Sequence, residues 1–235
     1  MSKALSPKPK AQRRPLQPGP RTLDSRLQTI ALPSFAPPDS AAPFIVALEG
    51  PNGAGKSTLA RALGYPHCLG TDAAWFTEPF KVRMIRDAEW FTSAMFFLSG
   101  CFEQMRVLRS RQDRVIVLDR SLWSTLAVHA AESAERLEML VAMLGPVAAQ
   151  IRVPHLTLVL EASLTTCQSR IGKKAGTARA LDELTANAAF HAREREFYHW
   201  LSRERSEVRF LDVDQAPPEV VAQEARKLIQ KHAPC

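Results

Sequence analysis

The chain has 235 residues, 46% hydrophobic and 23% charged, a balance that suits one globular α/β domain with a tail. Its formal charge of +7 is uneven: residues 1–43 hold seven of the 31 Lys and Arg against two acids, which leaves the rest at +2 and argues against a nucleic-acid-binding body. No run of about 18 apolar residues is present, which excludes a spanning helix and any membrane partner, and Cys68, Cys101, Cys167 and Cys235 fall in no metal or disulfide pattern, as expected of free thiols in a reducing cytoplasm.

Residues 1–43 carry nine of the 17 prolines and no sustained periodicity. SPKPKAQRRPLQPGPR is basic and low in complexity and cannot bury a core, so 1–43 is expected to be a disordered extension and 44–235 the folded domain. Acids are few, as in a transit peptide, but the prolines spoil an amphipathic helix, and an apolar secretory stretch is lacking. From Phe44 to Leu48 runs a short apolar segment, β-branched at its centre, which predicts a fully buried strand closed by Glu49. Gly50 to Ser57 follows, and Thr58 to Leu63 can continue as a helix that Gly64 ends.

Gly64 to Gly70 is turn-rich, with room for a very short strand. Apolar residues then recur at threes and fours from Lys81 to Arg109 (Met84, Ile85, Ala88, Phe91, Met95, Leu98, Phe102), which predicts one long helix. Val115 to Leu118 reads as a second buried strand and ends in Asp119-Arg120-Ser121. Helices are expected to about Ala130 and over Ala134 to Leu144. Leu156 to Leu160 is a third strand, Ala162 to Ile171 a helix, and Gly172 to Arg179 a basic, glycine-punctuated loop. A helix over about Leu181 to Arg205, a strand over Val208 to Asp212 and a helix from Pro218 to Lys231 complete the chain. Strands alternating with helices predict a parallel sheet with helices on both faces, and right-handed crossovers place the loop after the first strand at the carboxyl edge, where ligands bind.

Gly50-Pro51-Asn52-Gly53-Ala54-Gly55-Lys56-Ser57 fits G-x-x-x-x-G-K-[ST] at every fixed position. Glycines let backbone N–H groups curl inward around phosphates, and the helix that carries Ser57 and Thr58 points its N-terminus at the same anion. Lys56 can reach the β- and γ-phosphates of ATP, and the Ser57 hydroxyl can ligate Mg²⁺. Asp119, at the end of a neighbouring strand, is a candidate for the same metal, and Arg120 for a second anion. Arg170, Lys173, Lys174 and Arg179 form a candidate lid of cations. Glu78, held before Pro79, is a candidate base or metal ligand. The aromatic cluster Trp75, Phe76, Trp90, Phe91, Phe96 and Phe97 offers rings for a nucleobase.

Taken in order, ALEGPNGAGKSTLA, TEP, VIVLDRS, LTLVLEASLTTCQSRI, FHAREREFY and VRFLDVDQAPPEVVAQEARKLI resemble the thymidylate kinases over about residues 44–235. That resemblance implies a P-loop kinase with a five-stranded parallel sheet and a short basic lid, which passes the γ-phosphoryl group of ATP to dTMP. It places Lys56 and Ser57 on ATP and Mg²⁺, Asp119 on the metal or the acceptor sugar, Arg120 on the acceptor phosphate, Arg170 in the lid and Phe97 against the base. It leaves a homodimer open. Three positions depart from the family: Thr77 stands where an arginine precedes Glu-Pro, Gly100 and Cys101 where another arginine is usual, and Ala127-Val128-His129 where Ala-Tyr-Gln is usual. The deoxynucleoside kinases are similar at Glu78-Pro79 and Asp119-Arg120-Ser121, and there Glu78 would be the base for a nucleoside hydroxyl. A nucleotide-dependent regulatory protein, which transfers no phosphate, is the third alternative.

Overall fold

The structure is a computed structural model and describes residues 26–36, 43–70, 78–214 and 216–234. Five parallel strands form one sheet: β1 (Phe44–Glu49), β2 (His67–Leu69), β3 (Val115–Asp119), β4 (Leu156–Glu161) and β5 (Val208–Asp212), in the order β2-β3-β1-β4-β5. β1 lies at the centre and all six of its residues are buried, which is what its unbroken apolar run demands of a strand covered on both faces. Its alternate residues divide the core. Phe44, Val46 and Leu48 pack with α1 (Lys56–Leu63) and α9 (Pro218–His232), while Ile45 and Ala47 pack with Met105 and Leu108 of α3 (Trp90–Leu108). α4 (Leu122–Glu132), α5 (Ala134–Leu144) and α8 (Ala188–Glu204) share a second large cluster with α3. The expected α/β sheet with helices on both faces is therefore present. No helix among the described residues is long and apolar enough to cross a membrane.

Two helices expected as single pieces are each broken. The pattern over 81–109 spans a corner: α2 (Glu78–Arg86) and α3 are separated at Asp87 to Glu89, where Glu89 takes extended angles of φ −59° and ψ 146°. Threes-and-fours spacing does not register such a corner, because Met84 and Ile85 before it and Phe91, Met95 and Leu98 after it keep the same intervals along the chain. The second break lies in the candidate lid. α6 (Leu164–Gly172) is followed by α7 (Gly176–Glu183), so the segment expected as a loop to Arg179 is partly helical. α8 then starts afresh, with the Asn187 side chain accepting from Phe190 N at 2.9 Å, an N-cap inside what reads as one helix.

The boundary at residue 43 is also corrected for residues 26–36. Leu27, Ile30 and Phe35 are 0%, 7% and 6% exposed and belong to the α3–α4–α5–α8 cluster. Phe35 meets Trp123 edge-on at 5.6 Å, and Ala36 N donates to Ile151 O at 3.0 Å. Arg26 pairs with Glu135 on the surface. This strap has no periodicity because it runs irregularly across the helices, so only its isolated apolar residues mark it, and the prolines around them hide the signal. Residues 1–25 and 37–42 lie outside the described residues.

Phe35→Ala is expected to cost about 3 kcal/mol, the low end for a buried phenylalanine. At a few degrees per kcal/mol for a chain of this size, the melting temperature should fall by about 6–12 °C. An unchanged melting curve by circular dichroism would show that the strap contributes nothing to the core.

Candidate active site

The phosphate loop runs from Gly50 to Gly55 between β1 and α1, against backbone on two sides. A Cβ at Gly50, whose φ is +118°, would meet Leu160 O at 2.5 Å, and one at Gly53 would meet Cys167 O at 2.5 Å. Both positions therefore exclude a side chain, the first because of β4 and the second because of α6. The loop closes on itself through Lys56, whose Nζ donates to Gly50 O at 2.7 Å and Pro51 O at 2.8 Å. Burial, and then the charge of Arg120, push the Lys56 pKa down to about 8. That leaves the ammonium mostly protonated at neutral pH.

Strand register brings the second half of the site to the loop. Leu48 pairs with Asp119, so the carboxylate stands beside the start of α1, and Ser57 Oγ donates to Asp119 Oδ2 at 2.5 Å. Arg120 follows with φ +77°, the left-handed region that a branched or long side chain enters only when its surroundings impose it. Those surroundings are visible. Arg120 N donates to Leu48 O at 3.0 Å, and Gly70 N donates to Asp119 O at 3.0 Å. The guanidinium donates to Ser124 Oγ at 3.1 Å and to Asn52 Oδ1 in the phosphate loop.

Beneath this turn lies a group that the sequence reading passed over. Glu49 is 0% exposed. One carboxylate oxygen accepts from Ser121 N at 2.7 Å and Ser121 Oγ at 2.6 Å, and the other accepts from Ser124 Oγ and from Tyr198 OH at 3.1 Å. Burial raises its pKa, while the serine hydrogen bonds and the charges of Arg120 and Lys56 work against the rise. A second buried acid, Glu194 on α8, is 4% exposed and faces Arg120 and Lys56. The available signal for Glu49 was an ionisable residue ending an otherwise apolar buried strand; for Glu194 it was an acid in the apolar stripe of a helix.

The remaining expected site residues fall as follows. Asn52 bridges: it accepts from Arg120, and its Nδ2 donates to Thr185 Oγ1 at 3.0 Å, tying the loop to the end of the lid segment. Arg170 is corrected from lid cation to brace. Its guanidinium donates to Ala54 O and to Val213 O, each at 2.9 Å, so it fastens the loop to the chain after β5. Lys174 and Arg179 pair within the segment, with Asp182 at 2.5 Å and Glu183 at 2.7 Å. Thr58 is exposed on α1, and Phe97 is half-buried on α3, edge-on to Phe96 at 5.2 Å. One turn beyond Phe97, the Cys101 thiol is pushed up by burial and by the nearby Glu49 charge, which puts this part of α3 beside the site. His129 is neutral, since burial and Arg136 push it down to about 4. Glu78 opens α2, but its side chain, like Thr77, lies outside the described residues.

A model of the AAA domain family matches residues 45–197, the span from β1 through the lid segment to Phe197. The chain belongs to that AAA domain family. No curated protein sequence matches it. Among solved structures, thymidylate kinase from Candida albicans is similar at 20% identity and a TM-score of 0.62, over 81% of this chain and 92% of that one. Deoxyadenosine kinase from M. mycoides with bound dATP is similar at 18% identity and a TM-score of 0.58, over 79% of this chain and 98% of that one. The same deoxyadenosine kinase with bound dCTP gives 16% identity and a TM-score of 0.56. The fold of this AAA-domain chain is thus that of the P-loop kinases.

Removing the Glu49 carboxylate would strand four donors at the centre of the AAA domain. Glu49→Ala is expected to destabilise the fold by about 3 kcal/mol or more, since each orphaned buried group costs about 1–3 kcal/mol. Urea denaturation checks this; a midpoint within error of the wild type would mean that water replaces the carboxylate without loss.

Proposed function

We propose that the chain is an ATP-dependent kinase of nucleosides or nucleoside monophosphates. The observation that carries this reading is the convergence of Lys56, the Ser57–Asp119 pair and Arg120 at the carboxyl edge of one sheet. Ser57 Oγ and Asp119 Oδ2 are hard oxygen donors 2.5 Å apart, which suits Mg²⁺, an ion that takes few protein ligands and keeps several waters. Among the described residues no grouping of three or more His, Cys, Asp or Glu could hold a metal, so the ion would rest on this pair, its phosphates and water. Lys56 would exchange its loop carbonyls for the β- and γ-phosphates of ATP. Phosphoryl transfer has a loose transition state, so what this chain contributes is positioning and charge. A reducing cytoplasm agrees with the free thiols of Cys68, Cys101 and Cys167.

Two acceptors suit this site. Resemblance to thymidylate kinases makes dTMP the acceptor, with Arg120 on its phosphate and Phe97 against its base. A specific observation favours the second, a nucleoside without phosphate. Arg120 is faced by Asp119, Glu194 and Glu49, and residues 71–79 contain no Lys or Arg. A phosphate dianion entering here would compete with these acidic groups for Arg120. In this second reading Glu78 is one candidate base.

An ATP-consumption screen against nucleosides and nucleoside monophosphates tests the assignment. Wild-type protein should turn over with at least one acceptor, and Lys56→Ala should lower the rate by on the order of 10²–10³ or more while leaving the melting temperature near the wild-type value. Slow ATP hydrolysis with no phosphorylated acceptor would identify a regulatory nucleotide-binding protein instead.

A further inference from the structure

α8 turns an apolar face to the core through Phe190, Phe197 and Leu201, each at most 3% exposed. Glu194 interrupts that face. It is 4% exposed, and among the described residues no hydrogen bond or ion pair reaches its carboxylate. One turn further along the helix, Tyr198 reaches Glu49, so Glu194 stands one turn beyond Glu49 toward the carboxyl edge of the sheet. The charged groups that face it are Arg120 from the β3–α4 turn, Lys56 from α1 and Glu49 from β1. Asp119 and Tyr198 add to the charges around Arg120. The other two acids of this cluster are supplied with donors: Glu49 accepts four hydrogen bonds, and Asp119 accepts from Ser57. Glu194 keeps its capacity to accept. Neither of its oxygens is among the fully buried polar atoms left without a partner, so a small opening reaches the carboxylate and leaves it room for a donor from outside the fold.

We infer that Glu194 is a catalytic base that takes the proton of an uncharged acceptor hydroxyl as the oxygen attacks the γ-phosphorus of ATP. The inference rests on the kinase reading above and selects its phosphate-free acceptor. In this step a bond forms between the acceptor oxygen and the γ-phosphorus. The bond from the γ-phosphorus to the β,γ-bridging oxygen breaks, and its electron pair leaves with ADP. The acceptor proton passes to a Glu194 carboxylate oxygen. Lys56 and Arg120, which face the same point, lie where the transferring charge needs neutralising. Burial raises the proton affinity of Glu194, and Arg120 and Lys56 oppose the rise; a base whose pKa approaches the working pH is the effective one. A monophosphate near neutral pH carries close to two negative charges. It has little need of a base and would be repelled by this carboxylate.

The test uses the full chain as wild type, Glu194→Gln and Glu78→Gln, with ATP and Mg²⁺, against nucleosides and nucleoside monophosphates from pH 5 to 9. Binding of a fluorescent ATP analogue is measured separately. Wild-type protein should phosphorylate a nucleoside with a rate that falls on the acidic side. Glu194→Gln should lower kcat for that nucleoside by about 10²-fold or more, remove the acidic limb and leave binding of the ATP analogue unchanged. Glu194→Gln turnover at the wild-type rate with the acidic limb intact would overturn the assignment. So would inactivity of Glu78→Gln beside an active Glu194→Gln. Wild-type transfer to monophosphates only would remove the base and leave the kinase reading standing; transfer to neither class would remove both. Should Glu194→Gln fail to fold, the wild-type profile decides, because a rate with no acidic limb overturns the proposal.

Discussion

A single buried carboxylate fixes the relation between the three pieces of chain that make the site. Glu49 ends the central strand, and its four donors come from the β3–α4 turn, from the first turn of α4 and from the middle of α8. A group held by that many hydrogen bonds does not rotate or shift independently of its partners. The left-handed Arg120 lies directly over it, so the unfavourable backbone there is held by bonds that the next residues, Ser121 and Ser124, make below. Had β1 ended in an apolar residue, the same turn could relax into an ordinary conformation, and the guanidinium would leave Asn52.

How much of this can be read from the sequence follows from where the constraints are written. The phosphate loop was legible because it is local: strand, eight residues and helix follow one another, and every fixed position has a steric or charge reason. Asp119 was legible at one remove, since two apolar runs in a parallel sheet must align their ends. The donors of Glu49 were not, because hydroxyls of Ser121, Ser124 and Tyr198 carry no periodic signal and meet only after the crossovers are made. Arg170 misled for a related reason. Its place in a basic stretch suggested the lid, but it occupies the last turn of α6 and answers to carbonyls at Ala54 and Val213. The strap at residues 26–36 was concealed by its company, three buried apolar residues within a 43-residue stretch that carries nine of the 17 prolines.

The lid segment shows a consistent assignment of charge. Lys174 and Arg179 are neutralised by acids of the same segment, and the tie to the phosphate loop is made instead by uncharged groups, Asn52 and Thr185. Asn52 also holds Arg120, so one amide joins Arg120, the phosphate loop and the segment that carries Thr185. A ligand that draws Arg120 toward itself takes a donor from Asn52, and the bond to Thr185 then becomes the amide's main anchor among these groups. Neutral contacts of this kind break at small cost compared with buried ion pairs.

The shortest strand carries a constraint out of proportion to its length. β2 has three residues, two of them exposed, and lies at the edge of the sheet, the place where drift in sequence is ordinarily tolerated. Gly70 follows it, and a Cβ there would come within 2.0 Å of Arg120 O. The glycine has no unusual φ of its own, so nothing in its own conformation marks it. Its side of the sheet is thus closed to substitution by a backbone oxygen fifty residues away. In a set of variants selected for activity, Gly70 would stay glycine whatever residue stood at position 120, because the oxygen it meets belongs to the backbone.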